Sequence, residues 1–103
     1  MPLEEIIEGV PLERRALTLD ELARACAVEP EWVLHRVQSG ILLGRLGGPE
    51  EALQFTSVDL VRARRLVQVE RDFDANEDLA ALVVDLVDEV RRLKSRLRAA
   101  GVA

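Results

Sequence analysis

Apolar positions recur with the period of an α-helix along most of this chain, and the phase of that recurrence resets several times. In "TLDELARACAV", Leu19, Leu22, Ala23 and Cys26 share a face. Thr18 precedes them as an N-cap and Glu21 follows three residues on, a capping-box pattern that predicts a first short helix. "EPEWVLHRVQSG" predicts a second, with Pro30 at its first position, Gly40 as its stop, and Val33, Leu34 and Val37 as its inward stripe. The period is then lost. A short apolar run from Ile41 to Leu43, a turn containing Gly44, Gly47, Gly48 and Pro49, and "ALQF" predict a small β-hairpin. Helical spacing returns in "TSVDLVRARRLVQVERDF", which Thr56 caps with Asp59 at the third helical position. Its predicted stripe is Val58, Val61, Leu66, Val69 and Phe73, with Leu60 and Val67 alongside. "DAN" breaks this helix, and Asp74 with Glu77 repeats the capping-box pattern. From Asn76 to about Ala100, the positions Leu79, Val83, Leu86, Val90, Leu93, Leu97 and Ala100 are spaced 4, 3, 4, 3, 4, 3. That is a heptad seam, the pattern of a coiled coil.

The tight "AVEP" link between the first two helices suits a helix-turn-helix, and helix, helix, hairpin is the order of a winged helix. Three regions follow: an arm over 1–16 without a clear period, a winged helix-turn-helix over 17–75, and an acidic, leucine-heptad helical segment over 76–103. The last helix needs a surface to cover its seam. The seam is expected to lie partly on the chain's own winged helix and partly on a second subunit. Val83, Leu86, Val90, Leu93 and Leu97 are the dimerisation candidates, Val90, Leu93 and Leu97 foremost, the alternative being packing wholly within the chain.

Composition narrows the function. The chain has 103 residues, enough for one modest core, and only Trp32, Phe55 and Phe73 are aromatic, so small aliphatics must fill it. A net charge of −5 opposes a general polyanion binder, because phosphate affinity rests largely on Lys and Arg. The single Cys26 forms no intramolecular disulfide and suits a reducing cytoplasm. The acidic "MPLEEIIEGVPLERR" has no apolar run of signal length, so a cytoplasmic protein without a membrane segment is expected. His35 stands alone, and one Cys with one His is too little for a metal site. "GRLGGPEE" lacks the Lys-Ser/Thr of a phosphate loop. No catalytic constellation, metal or cofactor is expected, which leaves binding.

Charge is distributed unevenly. Between Glu70 and Glu89 stand eight acids (Glu70, Asp72, Asp74, Glu77, Asp78, Asp85, Asp88, Glu89) against Arg71 alone. Arg91, Arg92, Lys94, Arg96 and Arg98 follow with no acid among them. Part of this asymmetry complements the helix dipole, and a solvated face would account for the rest. The functional reading is an acidic docking surface for a basic protein partner. In an antiparallel dimer the two blocks would also meet in trans. Trp32 has two readings as well: a half-buried ring with Arg36 stacked on it, or an exposed interface anchor.

The capped first helix, the second helix ending in "SGIL", the wing ending in "QF" and the helix "TSVDLVRARRLVQVERDF" resemble the MerR winged helix-turn-helix superfamily. More closely, with "DFDANEDLAALVVDLVDEVRRLKSRL" as an acidic turn before a leucine-rich coil, residues 17 to 98 resemble the CbpM chaperone-modulator family. The resemblance implies a mainly α fold: a MerR-like winged helix-turn-helix with a β-hairpin wing and a coiled-coil-like C-terminal helix. It also implies a small non-enzymatic cytoplasmic protein that binds the J-domain of a DnaJ/CbpA-like co-chaperone and restrains its work with the DnaK-type chaperone; the heptad seam adds a homodimer to that expectation. The candidate J-domain contacts are Asp72, Asp74, Glu77, Asp78, Asp85, Asp88 and Glu89, with Trp32 as an outlying one. DNA-reading members of the superfamily typically carry Arg-Tyr-Tyr before the turn and Gly-Tyr-Arg-x-Tyr in the wing. This chain has Arg36-Val37-Gln38 and Glu51-Ala52-Leu53-Gln54-Phe55 there, and Glu29 and Glu31 open its second helix. A transcription regulator reading DNA is therefore the second alternative, and Arg45, Arg62, Arg64 and Arg65 are the cations left to it.

Overall fold

The computed structural model describes residues 16–101, so all but the last residue of the expected arm lies outside the described residues. The elements run β1 (Leu17–Thr18), α1 (Leu19–Cys26), α2 (Pro30–Gln38), β2 (Arg45–Gly47), β3 (Ala52–Phe55), α3 (Ser57–Phe73) and α4 (Glu77–Ala99). The fold is mainly helical with one small antiparallel sheet, as expected. Two compact units divide the chain within α3, between Arg64 and Arg65.

In the first unit the capping box at Thr18 forms in both directions. The Glu21 amide donates to Thr18 Oγ1 at 3.1 Å, and the Thr18 amide donates to Glu21 Oε1 at 2.8 Å. The helix ends at Ala27, whose φ of 57° turns the chain left-handed so that the Val28 amide reaches the Ala23 carbonyl at 3.0 Å. α2 starts on Pro30, as expected, and closes at Gly40 (φ 79°). There the Gly40 and Ile41 amides donate to the Val37 and Arg36 carbonyls at 3.1 and 2.8 Å, a Schellman closure.

That closure corrects the expected wing. The Ile41 and Leu42 amides are both consumed by the Arg36 carbonyl, so they cannot join a ladder; the two side chains plug the core instead. The first wing strand is Arg45–Gly47, and Gly48 leads the turn with φ 76°. β3 coincides with "ALQF" and pairs Arg45 with Gln54, Leu46 with Leu53, and Gly47 with Ala52. Its other edge receives Leu17 and Thr18, giving the order β1-β3-β2: three strands, where the sequence predicts a two-stranded hairpin. The residues that cap α1 thus also pin it to the sheet. Leu22, Ala23, Cys26, Val33, Ile41, Leu42, Phe55 and Ala63 form this unit's core. Burial raises the Cys26 thiol pKa above its ordinary 9.0, and Arg64 opposes the shift only in part.

α3 opens on Thr56, whose amide donates to Asp59 Oδ2 at 2.8 Å while its hydroxyl receives the Asp59 amide at 3.3 Å. Arg62 Nε donates to the Ile41 carbonyl at 2.9 Å and ties this helix to the turn after α2. The expected stripe holds in its middle and fails at its ends. Leu66 and Val67 are buried, but Val58 is 72% exposed and Phe73 70%, and the buried Ala63 is not part of it. The buried face runs through Ala63, Leu66 and Val67, and Val58 and Val61 stay open.

In the second unit, Asp74 (φ 49°) turns the chain after α3, with the Ala75 amide on the Glu70 carbonyl at 3.2 Å. Asp74 is therefore spent closing α3, and the expected Asp74–Glu77 capping box does not form. Asn76 caps α4 instead, accepting from the Leu79 amide at 2.9 Å. Ala80 and Val84 are the buried residues of α4. No helix of the described residues is long and apolar enough to cross a membrane.

Candidate protein-interaction site

At about 100° per residue, α4 divides into longitudinal faces. The buried Ala80 and Val84 lie within about 40° of each other, one turn apart. Glu77, Asp78, Asp85, Asp88 and Glu89 all fall within about 120° on another side, so five of the seven acidic candidates share one helix face. Leu79, Leu82, Leu86, Val90, Leu93 and Leu97 lie between the acids and the side that carries Val87, Arg91 and Lys94, and each is 45–55% exposed. The apolar seam therefore lies largely open to solvent. Val83 is half-buried, while Leu79 and Leu82 extend the open stripe toward the start of the helix. Leu82 escapes a strict heptad reading because it sits beside the seam positions, on the acidic flank.

The acids are not equivalent. Asp88 is ion-paired with Arg65 of α3, and Glu89 with Arg92 one turn along. Gln68 Nε2 donates to Asp72 Oδ2 at 2.8 Å near the end of α3, and Asp74 stands in the turn. Asp78 and Asp85 are exposed on the acidic face. An incoming cation must compete with Arg65 for Asp88 and with Arg92 for Glu89, whereas Asp78 stands exposed in the first turn of the helix.

Trp32 belongs to the first unit. It is half-buried with the Arg36 guanidinium 4.2 Å above its ring, and Arg36 Nη1 reaches the Trp32 carbonyl at 3.4 Å. The stacked reading is the one that forms. It also occupies the only cation of α2 besides its lone histidine, while Glu29, Glu31 and His35 face solvent. A helix in this position reads DNA through cations free to reach phosphates and base edges; here Glu29 and Glu31 hold the end that would enter the groove. No group of three or more His, Cys, Asp or Glu among the described residues could hold a metal ion.

These features place the chain in a class. The sequence model of a family described as "MerR HTH family regulatory protein" matches residues 17–100, which span the winged helix-turn-helix and the long C-terminal helix. The chain is also 30% identical over 96 residues to the "Chaperone modulatory protein CbpM" of Coxiella burnetii strain Dugway 5J108-111, covering 92% of this chain and 90% of that protein. The same-named proteins of strains RSA 331 / Henzerling II and CbuG_Q212 match it equally, at 30% identity with the same coverage. The chain belongs to the CbpM-like branch of the MerR helix-turn-helix family.

Proposed function

We propose that this protein is a chaperone modulator that binds the J-domain of a DnaJ/CbpA-like co-chaperone and inhibits its work with the DnaK-type chaperone. The observation that carries the reading is the placement of Glu77, Asp78, Asp85, Asp88 and Glu89 on one side of α4, beside an open apolar stripe. The relatives' shared name supports it. Such a surface fits a basic amphipathic helix: carboxylates steer and orient it, and Leu82 and Leu86 supply apolar contact. Occupying that helix withholds it from the chaperone. Asp72 and Asp74 extend the acidic field beyond the start of α4, and Trp32 is an outlying contact. The protein acts by binding, in the cytoplasm, without a cofactor.

The seam residues Val83, Leu86, Val90, Leu93 and Leu97 are assigned to a homodimer of α4 helices. Antiparallel alignment sets the acidic first half of one helix against Arg91–Arg98 of the other; parallel alignment would stack the cations together.

The test is titration of the purified protein with the J-domain of its cognate co-chaperone. Binding should weaken as salt rises, since exposed charges are screened within about 10 Å at 0.1 M. Asp78→Lys with Asp85→Lys should weaken it at least about tenfold, or roughly 1.4 kcal/mol. Absence of binding at low salt, across the co-chaperones of the cell, would refute the reading. A mobility shift on random duplex DNA at low salt tests the transcription-regulator alternative, because a DNA reader shows non-specific binding there.

A further inference from the structure

We propose that the groove between the end of α3 and α4 is a second docking site, one that takes an acidic, aliphatic segment of a partner protein. A cavity of about 170 Å³ opens in the second unit, lined by Arg65, Gln68, Val69, Val84, Val87 and Arg91. Along α4 it continues into a recess of about 290 Å³ that shares Val87 and Arg91 and adds Leu86, Val90 and Lys94. Its walls are aliphatic. A dry cavity of about 150 Å³ is enough to take up a benzene-sized group, so the first pocket has room for one bulky side chain.

The polar groups define the partner's charge. Among the described residues no carboxylate lines the groove; the polar side chains that do are three cations and one amide. Arg65 is paired with Asp88 at the groove's edge, so Arg91 and Lys94 supply the uncompensated positive charge. A basic segment is repelled there, and a segment with Leu- or Phe-sized residues every three or four positions and carboxylates between them is attracted.

Its position separates this groove from the acidic face. By helical angle, Val87, Arg91 and Lys94 lie about 180° round α4 from Asp78, Asp85 and Glu89, with the apolar stripe between. The charged groups of the two surfaces therefore lie on opposite flanks of one helix, with Leu86 shared between them. The groove assignment stands on its own lining and does not rest on the co-chaperone reading.

The experiment is fluorescence anisotropy with the full chain and two labelled three-turn model peptides. One peptide alternates leucine pairs with glutamate pairs, and its counterpart replaces every glutamate with lysine. The glutamate peptide should bind saturably at low salt. Arg91→Glu with Lys94→Glu should weaken it at least about tenfold, and Val87→Trp, which fills the cavity, should remove it. Asp78→Lys with Asp85→Lys, which disables the acidic face, should leave it unchanged. The two Arg91 and Lys94 replacements are at exposed positions, so they keep the test decisive if Val87→Trp fails to fold. The proposal is overturned if the glutamate peptide does not saturate, or if its affinity ignores Arg91→Glu with Lys94→Glu. It is also overturned if the peptide binds only where sedimentation finds the chain monomeric, because the groove would then belong to a second copy.

Discussion

Ala27 holds φ 57° and ψ 44°, a left-handed conformation that costs a residue with a Cβ about 1–2 kcal/mol. The turn between α1 and α2 demands it, because only there do the Ala27 and Val28 amides meet the carbonyls of Arg24 and Ala23. Ala27→Gly should therefore stabilise the protein by up to about 1 kcal/mol, the relief exceeding the extra chain entropy that glycine brings to the unfolded state. The measurement is the urea midpoint, which should rise with an unchanged slope. Cys26, the residue before it, makes a pH prediction. Its thiol pKa is raised in the fold, so stability is complete below pH 9.0 and declines as pH climbs through the raised value. At pH 8, a disulfide reagent should modify the folded thiol far more slowly than the urea-unfolded one. Equal rates would mean that Cys26 is not held in the core.

Among the elements, α4 depends most on its ends and faces. Asn76 accepts the Leu79 amide, so Asn76→Ala should cost about 1 kcal/mol, read as loss of helical circular dichroism on heating. This cap illustrates what the sequence conveys and what it hides. The start of α1 and both ends of α2 are legible because Thr18, Pro30 and Gly40 mark them chemically. Asp74 is a misleading signal: Asp serves equally as a cap and as a left-handed turn residue, and only the length of α3 decides between them. On α3 the buried Leu66 and Val67 are legible, but Ala63 is missed because it carries little hydropathy, and the exposed Val58 and Val61 mislead because they carry much. β1 is hidden because two residues have no period. The acidic face of α4 is legible as a charge run, but that Asp88 is paired across to α3 is a tertiary fact no local pattern contains.

For the molecule as a whole, the decisive quantity is how much of α4 the chain can cover by itself. It buries Ala80 and Val84 and leaves Leu86, Val90, Leu93 and Leu97 about half exposed, an apolar stripe of the kind that marks an interface. Leu86→Glu with Leu93→Glu should make the protein monomeric by sedimentation equilibrium while the first unit stays folded, because none of that unit's core residues is altered. A wild-type chain that sediments as a monomer at millimolar concentration would eliminate the dimer. Net charge hides the other organising feature: a total of −5 averages over an acidic first half and a basic second half of the same helix.

From Arg91 to Ala99 every residue of α4 is exposed, so no burial among the described residues holds those last turns closed. Helix this short is marginal in water by itself, and segments with few buried contacts open locally at little cost. Five of its residues, Arg91, Arg92, Lys94, Arg96 and Arg98, are cleavage points for trypsin. Digestion should begin there, clipping the tail before the rest of the fold is touched. Whatever covers the stripe must slow that cut, so the rate of tail loss becomes a gauge of occupancy, readable in a crude mixture by mass alone.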